Sequence, residues 1–252
     1  MSRPSMLRSV ASFSSMTMVS RVFGLLRDMV ISRVFGVSAA TDAFWVAFRI
    51  PNFMRRLFAE GSFTTAFVPV FTEIKEKRNH ADLKELVART AGSLGAVLVL
   101  IVGLGIVFAP QVATVFSPGA IDHPGKFDLT VKLLRLTFPF ILFVSLTALA
   151  GGALNSFHRF AMPALVPVLL NLSMIGCALW LAPRLGSKPV PPQLDMRILA
   201  LGWAILIGGI VQLLCLLPDM AKLDLLAWPR FGFNHPDVRK VMRLMVPTLF
   251  GS

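Results

Sequence analysis

The sequence predicts an all-α integral membrane protein, a polytopic helical bundle, on three observations. Of the 252 residues, 55% are hydrophobic and only 15% charged, with a mean hydropathy of +0.72. The apolar residues come in runs of about twenty, the length an α-helix needs to cross a hydrocarbon core. Most of the basic residues fall between those runs, as the loop bias of membrane topology requires. That placement also accounts for the net charge of +12, so no nucleic-acid partner is expected.

Residues 1–9 form a basic head with Arg3 and Arg8. The first segment runs from about Val10 to Phe35, too long and too charged for a cleavable signal peptide. Gly36 to Thr41 is a tight connection in which Ser38 or Thr41 can cap the next helix. The second segment, about Asp42 to Phe71, contains Pro51, Gly61 and Pro69, and is expected to be broken or kinked beside a cavity. Glu73 to Asp82 reads as a charged loop. The third segment, about Ala88 to Ala109, carries Gly92, Gly95, Gly103 and Gly105 for close packing. Gln111 to Phe127 is a loop on the opposite side of the membrane.

The fourth segment, Val131 to Leu154, has Arg135 near one end and an expected kink at Pro139. A polar turn from Asn155 to Phe160 leads to the fifth segment, about Ala161 to Ala182. A proline-rich loop from Pro183 to Arg197 precedes the sixth, about Ile198 to Leu217. Residues 10–218 thus form a transmembrane lobe of six helices. Residues 219–240 are a polar connector whose Trp228, Phe231 and Phe233 suit a membrane interface. Residues 241–252 open a seventh apolar run that stops before it can span, so the chain is expected to be part of a larger protein. Basic residues weigh toward the side of the head and connector, which puts the N-terminus in the cytoplasm.

One stretch breaks the membrane pattern. From Ser15 to Gly61, strongly apolar sequence carries Arg21, Arg27, Asp28, Asp42, Arg49, Arg55, Arg56 and Glu60. Each charge at a bilayer centre costs about 2.5 to 3.5 kcal/mol, so five lipid-facing arginines would cost on the order of 12 to 18 kcal/mol, comparable to the net stability of a domain. They therefore face a water-filled cavity, a partner chain or the membrane surface, and the first of these makes them a binding site for an anion. Arg21 and Asp28 share one face of their helix. Arg49 and Arg56 read as structural, Arg56 snorkelling or pairing with Glu60 one turn on. Asn171 and Gln212 suit interhelical hydrogen bonds.

Cys177 and Cys215 each lie inside an apolar run at different depths, and are expected to be free thiols. His80, His123, His158 and His235 fall in separate loops, so neither a metal nor a cofactor is expected.

Three stretches carry a family resemblance: SSMTMVSRVFGLLRD at Ser14 to Asp28, ATDAF at Ala40 to Phe44, and above all PNFMRRLFAEGSFTTAFVP at Pro51 to Pro69. With LTFPFILFVSLTALAGGALNSFHRFAMPALVPVLLNLSMI at Leu136 to Ile175, they resemble the MviN/MurJ family of bacterial lipid II flippases. The resemblance implies fourteen transmembrane helices in two lobes, of which this chain is the N-terminal lobe: six complete helices plus the start of a seventh. It implies movement of the lipid-linked peptidoglycan precursor, lipid II, from the inner to the outer leaflet of the inner membrane. The implied partners are that lipid, membrane lipids and a C-terminal lobe.

By resemblance the cavity arginines are Arg21, Arg27 and Arg55, with Asp28 and Asp42 in gating or charge-partner roles and Arg49, Arg56 and Glu60 as further candidates. The chemistry is consistent, because guanidinium offers a planar fork of donors matched to diphosphate oxygens. A transferase acting on a lipid diphosphate would use the same arginines, but it needs clustered acids for a metal or a general base. No D-x-D or D-D-x-x-D pattern supplies them, so no catalytic residue is expected. An exporter of another polysaccharide-linked lipid or of a drug is the remaining alternative.

Overall fold

The computed structural model describes residues 3–55, 63–120, 122–186 and 194–250, and the regular structure in them is helical throughout. The α-helices are α1 (Arg3–Phe35), α2 (Ala39–Arg55), α3 (Phe63–Lys77), α4 (His80–Val107) and α5 (Ala109–Phe116), followed by α6 (Pro124–Thr137), α7 (Phe140–Ser156), α8 (Ala161–Gly176), α9 (Leu199–Lys222) and α10 (Pro236–Phe250). Four stretches among the described residues are long and apolar enough to cross a membrane: His80–Val107, Gly125–Ser156, Ala161–Leu185 and Met196–Lys222. The sequence suggested six complete spans. The difference lies at the N-terminal end, where α1 has the length, at 33 residues, but carries the arginines. The second expected span is two shorter helices, α2 of 17 residues and α3 of 15.

Several expected boundaries move for local reasons. Ser38 Oγ accepts from the Thr41 backbone N–H at 3.2 Å, and Thr41 Oγ1 donates to Gly36 O at 3.0 Å, closing the connection before α2. Pro51 does not break α2, which continues through it for another turn. The expected loop Glu73 to Asp82 is mostly helix, interrupted only around Arg78 and Asn79. Asn79 caps α4 by accepting from the Asp82 N–H at 2.9 Å. The expected loop Gln111 to Phe127 holds most of α5 and the start of α6. Pro139 does separate α6 from α7, since it has no N–H to continue the ladder. The fifth span loosens as it ends, passing from α8 into a π-turn at Cys177–Leu181 and a 3₁₀ turn at Ala182–Leu185. Cys177 and Cys215 are free.

Helix α8 packs between α1 and α9, α7 lies against α9, α2 against α6, and α10 against α3. Small residues set the spacing. A Cβ on Gly105 of α4 would stand 2.4 Å from the Phe138 ring, and one on Gly209 of α9 would stand 2.8 Å from the Phe140 ring, so each aromatic seats directly on a neighbouring backbone. The Gln212 amide donates to Val166 O at 2.7 Å and ties α9 to α8.

Charge gathers at one rim. Arg78 reaches Asp237 with both terminal nitrogens, at 2.8 and 3.3 Å, and Lys240 meets Glu73 at 2.6 Å, so α10 is clamped to the end of α3. Lys84 meets Asp224 at 2.6 Å. The hydrogen bond from Lys240 holds the Glu73 carboxyl below its ordinary value, and that from Lys84 does the same for Asp224. The hydrogen bond to Asp237 raises the Arg78 guanidinium further. Lys75 takes another partner, donating to Ser156 O at 2.6 Å with its ammonium 4.2 Å from the centre of the Phe157 ring. At the far end Arg197 is buried rather than loop-exposed, doubly bonded to Asp195 at 2.9 and 2.7 Å and reaching Val34 O at 3.4 Å.

Candidate functional site

A cavity of about 980 Å³ opens between α1, α2, α7, α8 and α9. Its lining carries two cations, Arg27 of α1 and Arg49 of α2, together with the neutral polar side chains of Thr147 and Asn155 of α7, Asn171 of α8 and Gln212 of α9. Apolar residues such as Val166 and Leu170 complete the lining, so the chamber is amphipathic.

Arg27 is held from two directions. Its Nε and Nη2 lie 2.9 and 2.8 Å from Asp28 Oδ1, while Nη1 donates to Asn171 Oδ1 at 2.9 Å. Asn171 Nδ2 in turn reaches Ser20 O at 3.5 Å. The guanidinium is therefore aimed across the α1–α8 contact into the cavity, its charge shared with an exposed carboxylate. Arg49 has no hydrogen bond or ion pair among the described residues, and its charge is free to meet an anion.

The other predicted residues sort differently. Arg21 is exposed and does not line the cavity. The reason is helical geometry, since residues six apart stand about 120° from each other around a 3.6-residue turn and point to different sides of α1. Asp28 is exposed and meets the cavity only through Arg27. Asp42 lies near the other end of α2, 3.4 Å from Lys126 of α6. Arg55 is the last residue of α2, and its side chain lies outside the described part of the structure, as do Arg56 and Glu60 entirely.

Arg49, read as structural from the sequence, lies on the helix face that lines the cavity. A signal for this was present: Trp45, Phe48, Arg49 and Asn52 recur at the three- and four-residue spacing of one α-helical face, and all four line the cavity. Asn171 and Gln212 make the expected interhelical bonds and line the cavity as well.

Comparison with known proteins decides the family. The family model described as "Lipid II flippase MurJ" matches residues 31–252. The chain belongs to the MurJ family. A Burkholderia cenocepacia relative, "Lipid II flippase MurJ", is 41% identical over 251 residues, which cover 97% of this chain and 46% of the relative. A Vibrio cholerae relative, "Probable lipid II flippase MurJ", is 40% identical over 98% of this chain and 46% of its own length. A solved structure, "Lipid II flippase MurJ, inward closed conformation", superposes with a TM-score of 0.74 at 26% identity, over 94% of this chain and 46% of that one. The chain therefore spans about half the length of the MurJ relatives it matches and corresponds to the N-terminal lobe of that fold.

Proposed function

We propose that this chain is the N-terminal lobe of a flippase that carries lipid II from the inner to the outer leaflet of a bacterial inner membrane. The observation that supports it most is Arg49, a cation without a protein partner among the described residues, sharing the lining of one chamber with Arg27. A diphosphate answers that arrangement, because its oxygens accept from both guanidinium forks at once. In a partly dehydrated chamber those bonds are stronger than in water. Asp28 is the counter-ion of the empty state and yields the Nε edge of Arg27 when the diphosphate arrives. Arg21 and Arg55 guide the head group on the same two helices, and the Asp42–Lys126 pair closes the far end of α2. The neutral polar side chains of the lining, Thr147, Asn155 and Gln212, meet the sugar and peptide.

The lobe then rocks against a C-terminal lobe to release the head group on the other side, with no covalent bond made or broken. The N-terminus lies in the cytoplasm, so a cysteine placed at Asn79 stays protected from an impermeant thiol reagent in intact spheroplasts. The test of the site is to measure flipping and membrane abundance together in the natural protein carrying Ala at position 21, 27, 49 or 55. Lost flipping at normal abundance supports the reading. Normal flipping in all four variants overturns the site, and low abundance with normal flipping per molecule assigns these arginines to the fold.

A further inference from the structure

Residues 223–235 leave α9 and run without helix across the first part of α4 before α10 begins. This strap is fixed by its backbone. The Arg230 N–H donates to Ala88 O at 2.9 Å and the Gly232 N–H to Ser93 Oγ at 2.9 Å. A Cβ on Gly92 would stand 2.3 Å from Arg230 O, so α4 and the strap touch backbone to backbone. Leu225 is buried, while Leu226, Trp228, Phe231 and Phe233 point outward, Trp228 at 88% exposure and Phe231 at 75%. Large apolar side chains held rigidly outward mark a contact surface rather than a leftover of folding.

We infer that the strap is a membrane-interface anchor, with Trp228, Phe231 and Phe233 seated among lipid head groups and Arg230 against lipid phosphates. Depth argues for it first. The apolar run of α4 begins at Ala88, next to the Glu85–Arg89 pair, and the strap crosses α4 between Ala88 and Ser93. α9 leaves its own apolar run at the same side, at Asp219 and Lys222. Continuity is the second argument. The face of α4 that the strap covers at Gly92 and Ser93 returns two turns later as Val99 and Leu100, both exposed on a helix long and apolar enough to span. The strap thus sits where a lipid-facing stripe starts.

Chemistry is the third argument. Tryptophan concentrates at head-group depth, and the exposed Arg230 guanidinium, flanked by Trp228 and Phe231, has no hydrogen bond or ion pair among the described residues. A phosphate supplies its complement.

The test uses the natural full-length protein with every tryptophan except Trp228 changed to Phe, reconstituted in vesicles of phosphatidylcholine and phosphatidylglycerol. Trp228 emission is expected to be quenched by lipids brominated near the head group and much less by lipids brominated deep in the chains. Removing phosphatidylglycerol is expected to shift that emission to the red, and Arg230→Gln to abolish the shift. Quenching by aqueous iodide with none from brominated lipid overturns the anchor. Protection from both overturns it too, and assigns the strap to a protein partner such as another part of the same polypeptide. A red shift that survives Arg230→Gln overturns the phosphate contact.

Discussion

At the rim, Arg78 gives both terminal nitrogens to Asp237, and Lys240 closes on Glu73; in the cavity, Arg27 divides its guanidinium between Asp28 and Asn171, and Arg49 has no partner among the described residues. The rim pairs join α3 to α10, elements brought together only by the fold. The Arg27–Asp28 pair joins neighbours on one helix, a contact that holds nothing else in place. A charge paired across elements serves the architecture. A charge paired locally, or unpaired inside a chamber, is available to a ligand.

The largest expected effects separate the two regions. On the proposed function, Arg27→Ala or Arg49→Ala is expected to remove a charge-assisted contact of about 1.5 to 3 kcal/mol to the diphosphate, a tenfold to hundredfold loss of lipid II affinity. Melting temperature should hardly change at position 49. Arg78→Ala should do the reverse, lowering the melting temperature while leaving affinity intact, because Asp237 is left nearly buried without its partner. Binding titrations and thermal melts on the same three proteins check both halves, and a shared pattern would erase the distinction.

Next comes Gly92→Val, which drives a side chain into the Arg230 backbone. Overpacking of this kind costs about 1 to 3 kcal/mol, and here the strap must lift. Faster proteolysis between α9 and α10 is the expected readout, with lipid II binding retained.

The smallest effect is that of acid on the rim. Glu73 and Asp224 are held below their ordinary 4.5 and 3.8, first by the hydrogen bonds from Lys240 and Lys84. A depressed carboxylate stabilises the fold fully above its ordinary value and loses that contribution as pH falls through its lowered folded value. Arg78 is raised by its hydrogen bond to Asp237, so it stays charged throughout the acid range and adds nothing to this window. Protection of the α10 amides, relative to free-peptide exchange at the same pH, should therefore stay flat down to about pH 4.5 and fall only in stronger acid. A fall near neutrality would point to another group.

Much of the fold was legible because crossing a membrane leaves long apolar runs, and Pro139 ends a helix for covalent reasons. The second segment was expected to be broken or kinked and is indeed two helices, but α2 runs on through Pro51 to Arg55 because one missing N–H interrupts a ladder without unwinding the turns beyond it. The charged stretch before α4 looked like a loop, but Asn79 supplies a cap and the charges pair across elements. The site was legible as far as periodicity reaches. Spacing shows which residues share a face, but only the packing of α1 on α8 shows that the Arg27 face meets the chamber and the Arg21 face does not. Arg49 was read as structural because the three- and four-residue spacing it shares with Trp45, Phe48 and Asn52 was not weighed.

Lys75 carries a consequence in reactivity. Its amine points at Ser156 O with Phe157 against it, whereas Lys77 on the same helix is mostly exposed. An acylating reagent needs the free lone pair of an unhindered amine, so Lys77 should react readily and Lys75 only while α3 has parted from α7. The rate of modification at Lys75, read by mass spectrometry, therefore counts how often that seam comes open.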